Sequence, residues 1–203
     1  MRGKFITFEG SEGSGKSTQI SLILKYLKKK GHDVLLIREP GATSIGESIR
    51  RVLLNVKNTK ISDECETLLY MSARAQLVVE VILPALKKGK LVLCDRFLDS
   101  TLAYQGYGNG TDIKFIKQVG AFATQSIIPD VTLLFDIDAK VGLARLNRSK
   151  DRIEQKALTY HKKVRNGYLD LAQKNSKRIK VIDANLKKEE IHVTVKKHIA
   201  KIL

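Results

Sequence analysis

The chain contains no tryptophan and only two cysteines, Cys65 and Cys94, in 203 residues. Their spacing is not C-x-x-C, which excludes a disulfide framework and a thiolate zinc site and leaves free thiols in a reducing cytoplasm as the expectation. The four histidines, His32, His161, His192 and His198, form no H-E-x-x-H pattern, so no histidine-held metal is expected. Prolines number three, and no Pro-, Ser- or Gly-rich run separates one half of the chain from the other, so no linker or internal repeat is predicted. No apolar run approaches the roughly 20 residues that a bilayer requires. The opening Met1-Arg2-Gly3-Lys4 runs straight into a strand pattern without a leader's cleavage site, which predicts a cytoplasmic protein with no membrane partner.

Acidic residues are also scarce, 21 against 37 Lys plus Arg, giving a net charge of +16. Such an excess suits polyanionic ligands, nucleic acid among them. Much of the lysine, however, is spread over helix ends, as in Lys28–Lys30, Lys87-Lys88, Lys187-Lys188 and Lys196-Lys197. Cations there complement the helix dipole. No nucleic-acid fold accompanies the charge, so nucleic acid is not expected as a partner, although a nucleotide-dependent nucleic-acid-binding protein remains the rival reading from another class.

What the chain does have begins at Gly10. Gly10-Ser-Glu-Gly-Ser-Gly-Lys-Ser17 is a complete G-x-x-x-x-G-K-S sequence directly after the apolar run Phe5–Phe8 and before a helical pattern that starts with Thr18. Successive backbone N–H groups in such a loop cradle phosphate oxygens, Lys16 reaches the β- and γ-phosphates, and the Ser17 hydroxyl is placed for Mg²⁺. Residues Gly10, Ser11, Glu12, Gly13, Ser14, Gly15, Lys16, Ser17 and Thr18 are therefore predicted to bind a nucleoside triphosphate.

Strand patterns at Phe5–Phe8, Val34–Ile37, Leu91–Cys94, Thr132–Asp136 and Ile179–Ile182 alternate with helical patterns at about 16–30, 44–55, 63–88, 111–124, 139–147, 152–175 and 187–202. Gly31 and Gly89 sit where helix-terminating glycines belong. This alternation predicts one α/β domain over 1–203, a parallel sheet covered by helices on both faces, with ligands at the C-terminal ends of the strands. The Gly106–Gly110 and Arg145–Arg152 stretches interrupt the pattern and read as loops.

The third strand ends in Asp95-Arg96. Beside a phosphate loop, Asp95 reads as a Mg²⁺ carboxylate, directly or through water, rather than as half of a structural ion pair. Arg38 and Arg50 are aimed at the same crevice and suit bidentate capture of a second phosphate. A GTPase is disfavoured, because no N-K-x-D guanine-reading motif occurs.

Taken together, Phe8–Thr18, Arg38-Glu-Pro-Gly41, Ser72–Gln76, Asp95-Arg-Phe97, Ser100–Gly106 and Asp151-Arg-Ile-Glu154 resemble thymidylate kinases in order and spacing. The resemblance implies a three-layer α/β P-loop nucleoside monophosphate kinase fold with a five-stranded parallel sheet. It implies transfer of the γ-phosphoryl group of ATP to dTMP in dTTP synthesis by a Mg²⁺-dependent homodimer. It assigns dTMP to Glu12 (sugar 3′-hydroxyl), Arg38, Arg50 and Arg96 (phosphate), and Tyr70 (stacking on thymine). Arg74 falls at the 4-oxo group, Ser100 and Thr101 at the base edge, Tyr104 beside the sugar against a 2′-hydroxyl, and Gln105 at the pocket border. Because no arginine lies in the variable part of the phosphate loop, a lid at about 145–152 must supply one. Arg148 and Arg152 are its candidates, catalytic alongside Lys16 and Arg96. Arg145 and Asn185 are expected at adenine, and Ser17 with Asp95 at the metal. Ala42 and Phe97 depart from the family's usual glycine and tyrosine or histidine. Another nucleoside monophosphate or deoxynucleoside kinase is the nearest rival.

Overall fold

A computed structural model describes residues 3–203. Five parallel strands form one sheet in the order β2-β3-β1-β4-β5, with β1 Lys4–Gly10, β2 Val34–Arg38, β3 Leu91–Asp95, β4 Val131–Asp136 and β5 Ile179–Asp183. From β1 the chain runs out to the edge strand β2, returns to β3 beside β1, and then crosses to β4 and β5 on the other side. The switch point therefore lies beside the C-terminal end of β1, where an open α/β sheet leaves a crevice.

Alternation along β1 sorts its side chains between the two faces. Ile6 and Phe8 enter a core with Ile20, Ile23 and Leu27 of α1 (Lys16–Lys29) and Val195 of α9 (Lys188–Ala200). Phe5, Thr7 and Glu9 point the other way and are equally buried. Phe5 packs edge-on against Phe97, Thr7 shares a hydroxyl hydrogen bond of 2.7 Å with Thr132, and Glu9 is carried under the helices that roof the crevice. Gly31 and Gly89 adopt φ of 84° and 76° at the helix ends before β2 and β3.

Between β2 and β3 lie α2 (Ser44–Leu54), α3 (Asp63–Leu77), a π-helical turn at Val78–Ile82 and α4 (Leu83–Lys87). The π turn precedes Pro84, which can neither donate an N–H nor tolerate the carbonyl one turn back, so the helix widens instead of breaking. The continuous helix Asp63–Lys87 is long and apolar enough to cross a membrane by length and mean composition alone, although Glu66, Arg74 and Glu80 interrupt its apolar residues. Its Glu66 and Arg74 are each about 1% exposed and ion-paired within the fold, which is protein-core packing.

Two further expectations change. The stretch before Gly110, read as a loop, is helical: α5 (Leu98–Thr101) passes into a π-helical segment, Leu102–Gly108, before α6 (Ile113–Thr124). Its glycines serve close packing, since a Cβ on Gly106 would lie 2.3 Å from Ile113 Cδ1 and one on Gly108 would lie 2.6 Å from the Tyr160 ring. The pattern at 152–175 yields α8 only over Leu158–Lys174. Asp151 Oδ1 accepts the N–H groups of Ile153 and Glu154 and diverts the backbone into turns. Likewise α7 (Ala139–Ala144) stops three residues short of the predicted end at 147.

Candidate active site

A crevice of about 500 Å³ opens at the switch point, lined by the phosphate loop, Arg38–Pro40, α3, the ends of β3 and α5, and the segment Leu146–Glu154. At one end, Gly13 (φ 65°) and Gly15 (φ 81°) turn the loop so that α1 starts at Lys16 and directs its N-terminus into the crevice. A Cβ on Gly13 would lie 2.0 Å from the Gly142 carbonyl oxygen of α7, so only glycine fits. The buried Lys16 ammonium donates to Gly10 O (2.8 Å) and Ser11 O (2.9 Å). Burial, with Arg96 adding to it, depresses its pKa to about 8 against the pull of Asp95, Glu12 and Glu9. An arriving phosphate would relieve that penalty.

Asp95 lines the same crevice, and its buried Oδ1 has no hydrogen-bond partner among the described residues. Ser17 is exposed beside it at the start of α1. One orphaned carboxylate oxygen with one hydroxyl fits a Mg²⁺ site completed by phosphate oxygens and water. The described residues contain no cluster of three or more His, Cys, Asp or Glu side chains that would hold a metal by themselves.

The middle of the crevice belongs to Glu12 and Arg96. Arg96 holds a left-handed backbone, φ 72°, which a non-glycine residue keeps only when its surroundings enforce it. Its N–H donates to Phe8 O (3.0 Å), which locks it onto β1. Its guanidinium donates to Glu12 Oε1 (3.2 Å), Ser100 Oγ (3.3 Å) and the Tyr168 hydroxyl (3.2 Å), and lies over the Tyr104 ring. Tyr104 also donates to Glu12 Oε1, at 2.5 Å. Burial alone would raise the Glu12 carboxyl, but the His161 ring, Arg96 and Lys16 beside it hold its pKa down at about 2. Arg38 and Arg50 meet at the Pro40 carbonyl, donating at 3.2 and 3.0 Å.

At the far end, Tyr70 lines the crevice one helical turn from Arg74. Arg74 is fully buried: it pairs with Glu39 at 2.6 Å and donates to Thr101 Oγ1 (3.0 Å) and Phe97 O (3.1 Å). Gln105 donates to Glu66 (2.8 Å). These residues share one wall.

The lid arginines diverge. Arg148 lines the crevice, is 60% exposed, and makes a two-point pair with Glu154 at 2.9 and 2.5 Å. Arg152 is not in the lining. It turns inward to donate to Leu53 O (2.7 Å) and Glu66 Oε2 (2.5 Å), because the Asp151 turn aims it at α3. Arg145 and Asn185 also lie outside the crevice lining. They are neighbours, since Arg145 donates to Ala184 O (3.3 Å). Gly10 and Ser11 form the floor of the loop without lining it.

Glu9, Tyr168 and His161 also belong to the site, although the sequence motifs do not assign them a role. Glu9 accepts from the Phe97 N–H (2.7 Å), Ser100 Oγ (2.6 Å) and Tyr168 hydroxyl (2.8 Å). Burial, with Asp99 nearby, pushes its pKa to about 7 in spite of those donors. A signal was present in β1, where Thr7 and Glu9 alternate with Ile6 and Phe8. Tyr168 and His161 look like ordinary core positions of a helix.

Residues 8–195 match the family model described as thymidylate kinase. The chain is 47% identical to a thymidylate kinase of Geobacillus sp. (strain WCH70) over 94% of its own length and 93% of the relative's. It is 48% identical to that of Pelotomaculum thermopropionicum over 100% and 95%. The crystal structure of thymidylate kinase from Ehrlichia chaffeensis superposes with a TM-score of 0.80 at 35% identity, covering 98% of this chain and 99% of that one.

Proposed function

Because this chain belongs to the thymidylate kinase family, we propose a reading of its crevice in which ATP and dTMP meet end to end. The protein is an enzyme that transfers the γ-phosphoryl group of ATP to dTMP, giving dTDP and ADP. In this reading the loop N–H groups and Lys16 hold the β- and γ-phosphates. Asp95 and Ser17 would hold Mg²⁺, which would supply charge neutralisation at the phosphate oxygens. Arg96, braced by Glu12, Ser100 and Tyr168, fixes the dTMP phosphate, and Arg38 and Arg50 assist. Little covalent work falls to the protein, since phosphoryl transfer is mainly positioning and neutralisation of charge.

Glu12 accepts the sugar 3′-hydroxyl, Tyr104 crowds the position of a 2′-hydroxyl, Tyr70 stacks on thymine, and Arg74 with Thr101, Ser100 and Gln105 borders the base. Arg148 is the lid arginine that swings from Glu154 to the migrating phosphoryl group. Arg152 braces the lid base through Glu66. Arg145 and Asn185 border adenine. The whole chain acts as one kinase domain with a lid at about 145–152. Leu68 and Val79 along α3 and its π turn, with Phe115 and Phe122 on the adjacent α6, form an exposed apolar face that suits a homodimer. The free thiols Cys65 and Cys94 suit the cytoplasm, where the product supplies dTTP synthesis.

The observation that supports this reading is the Glu12–Arg96–Tyr104 cluster, in which a guanidinium and a carboxylate are held together beside the Lys16 loop. A Mg²⁺-ATP coupled assay of ADP release against dTMP, dUMP, UMP, CMP, AMP and GMP tests it, with strong preference for dTMP expected. Preference for another monophosphate would keep the phosphate chemistry and discard the base pocket.

A further inference from the structure

His161 lies on α8 behind Glu12, 1% exposed, with its ring edge-on to Tyr160. Neither of its ring nitrogens has a hydrogen-bond partner among the described residues, and nor has Glu12 Oε2, although all three atoms are buried. His161 Nδ1 faces that oxygen at 3.5 Å. Buried polar atoms are rarely left idle, because desolvation without a partner costs free energy. Here a donor and an acceptor face each other just beyond bonding distance, so a shift of a few tenths of an ångström joins them.

A carboxylate offers about four acceptor positions. Tyr104 and Arg96 take those of Glu12 Oε1. We infer that His161 is a positioning residue for Glu12: its Nδ1–H takes one side of Oε2 and so aims the other side at the 3′-hydroxyl of the incoming nucleotide. The inference rests on the reading of Glu12 as the acceptor of that hydroxyl. It makes His161 a determinant of selection for an intact deoxyribose, acting through Glu12 without touching the substrate.

The test compares dTMP with 3′-deoxy-dTMP in the coupled assay for the wild type, Glu12→Gln, His161→Phe, His161→Asn and His161→Gln, each checked by thermal melting. The His161→Phe change should raise KM for dTMP about tenfold, the effect of one hydrogen bond to a charged group, while kcat stays within about threefold. KM for the 3′-deoxy substrate should then move less than about twofold, because its missing hydroxyl has nothing to lose. The amide nitrogen of Asn falls where Nδ1 stands and should restore the preference, whereas Gln, which carries its amide one atom further, should not. This polar pair decides the matter even if the Phe variant fails to fold. Equal KM changes for both substrates, or Asn and Gln behaving alike, would overturn the role of His161. If Glu12→Gln leaves the preference intact, the sugar assignment of Glu12 falls and takes this inference with it. If Glu12→Gln abolishes the preference while His161→Phe retains it, the role of His161 alone falls.

Discussion

The two ends of the crevice are built by opposite means. At the phosphate end, the groups that hold Lys16 lie within six residues of it and are mostly backbone carbonyls. Toward the middle and the nucleoside end, and in the wall behind them, the partners are side chains drawn from across the chain: Arg74 to Glu39 spans 35 positions, Arg152 to Glu66 spans 86, and Tyr168 to Glu9 spans 159. A site made of local backbone survives substitution around it and loses function only when the reacting group itself is removed. A site made of distant buried charges couples recognition to stability, so removing one partner strands the other.

That contrast can be broken most sharply at Lys16 and Arg74. Lys16→Ala should lower kcat by ~10³-fold, as loss of a preorganised phosphate contact does. Its melting temperature at pH 7 should not fall, because burial already disfavours the charged lysine. Arg74→Ala should instead destabilise the fold by about 3–5 kcal/mol in urea unfolding, because Glu39 is left buried and unpaired. An Arg74→Ala protein as stable as the wild type would erase the distinction.

The lid sharpens the comparison within one short segment. Arg148→Ala should reduce kcat by ~10²-fold or more with a smaller fall in melting temperature than Arg152→Ala, since the arginine is exposed and the buried Glu154 keeps the Asp151 N–H as a partner. Arg152→Ala should lower the melting temperature and raise KM for dTMP, because Glu66 loses a charged partner in the interior. Equal kcat losses without destabilisation would show both arginines at the phosphates.

Two smaller effects follow from pH. Glu9 has a folded pKa of about 7, above its ordinary 4.5. Its contribution to stability is fully present below pH 4.5 and is lost as pH rises through 7, so Glu9→Gln should flatten the decline in urea midpoint between pH 5 and 8. Glu12, held at about 2, acts in the acid window instead, contributing above pH 4.5 and fading as pH falls through 2. Smallest is a proton count. At pH 8 the Lys16 ammonium is about half ionised, so ATP binding should take up a fraction of a proton, read by calorimetry in buffers of different ionisation enthalpy. Lys16→Ala should abolish it.

The same division decides what could be read from sequence. The phosphate loop, the five strands and the glycines ending α1 and α4 were legible because each depends on neighbours along the chain. Strand order was not, because it depends on crossovers. The helix through Gly108 was hidden by glycines whose purpose, room for Ile113 and Tyr160, appears only in three dimensions. Arg152 read as one of two equivalent lid cations, and only the turn made by Asp151 shows that it points inward. His161 and Tyr168 fit a helical core pattern, and nothing local distinguishes a core side chain from one aimed at a carboxylate far away in sequence.

Crossed calorimetric titrations test the separation of the two ends most directly. Lys16→Ala and Tyr70→Ala would each be titrated with dTMP and with a non-hydrolysable ATP analogue. Lys16→Ala should weaken the ATP analogue by about tenfold or more and leave dTMP within about threefold, with the reverse for Tyr70→Ala. Loss of both ligands together in either variant would contradict that separation.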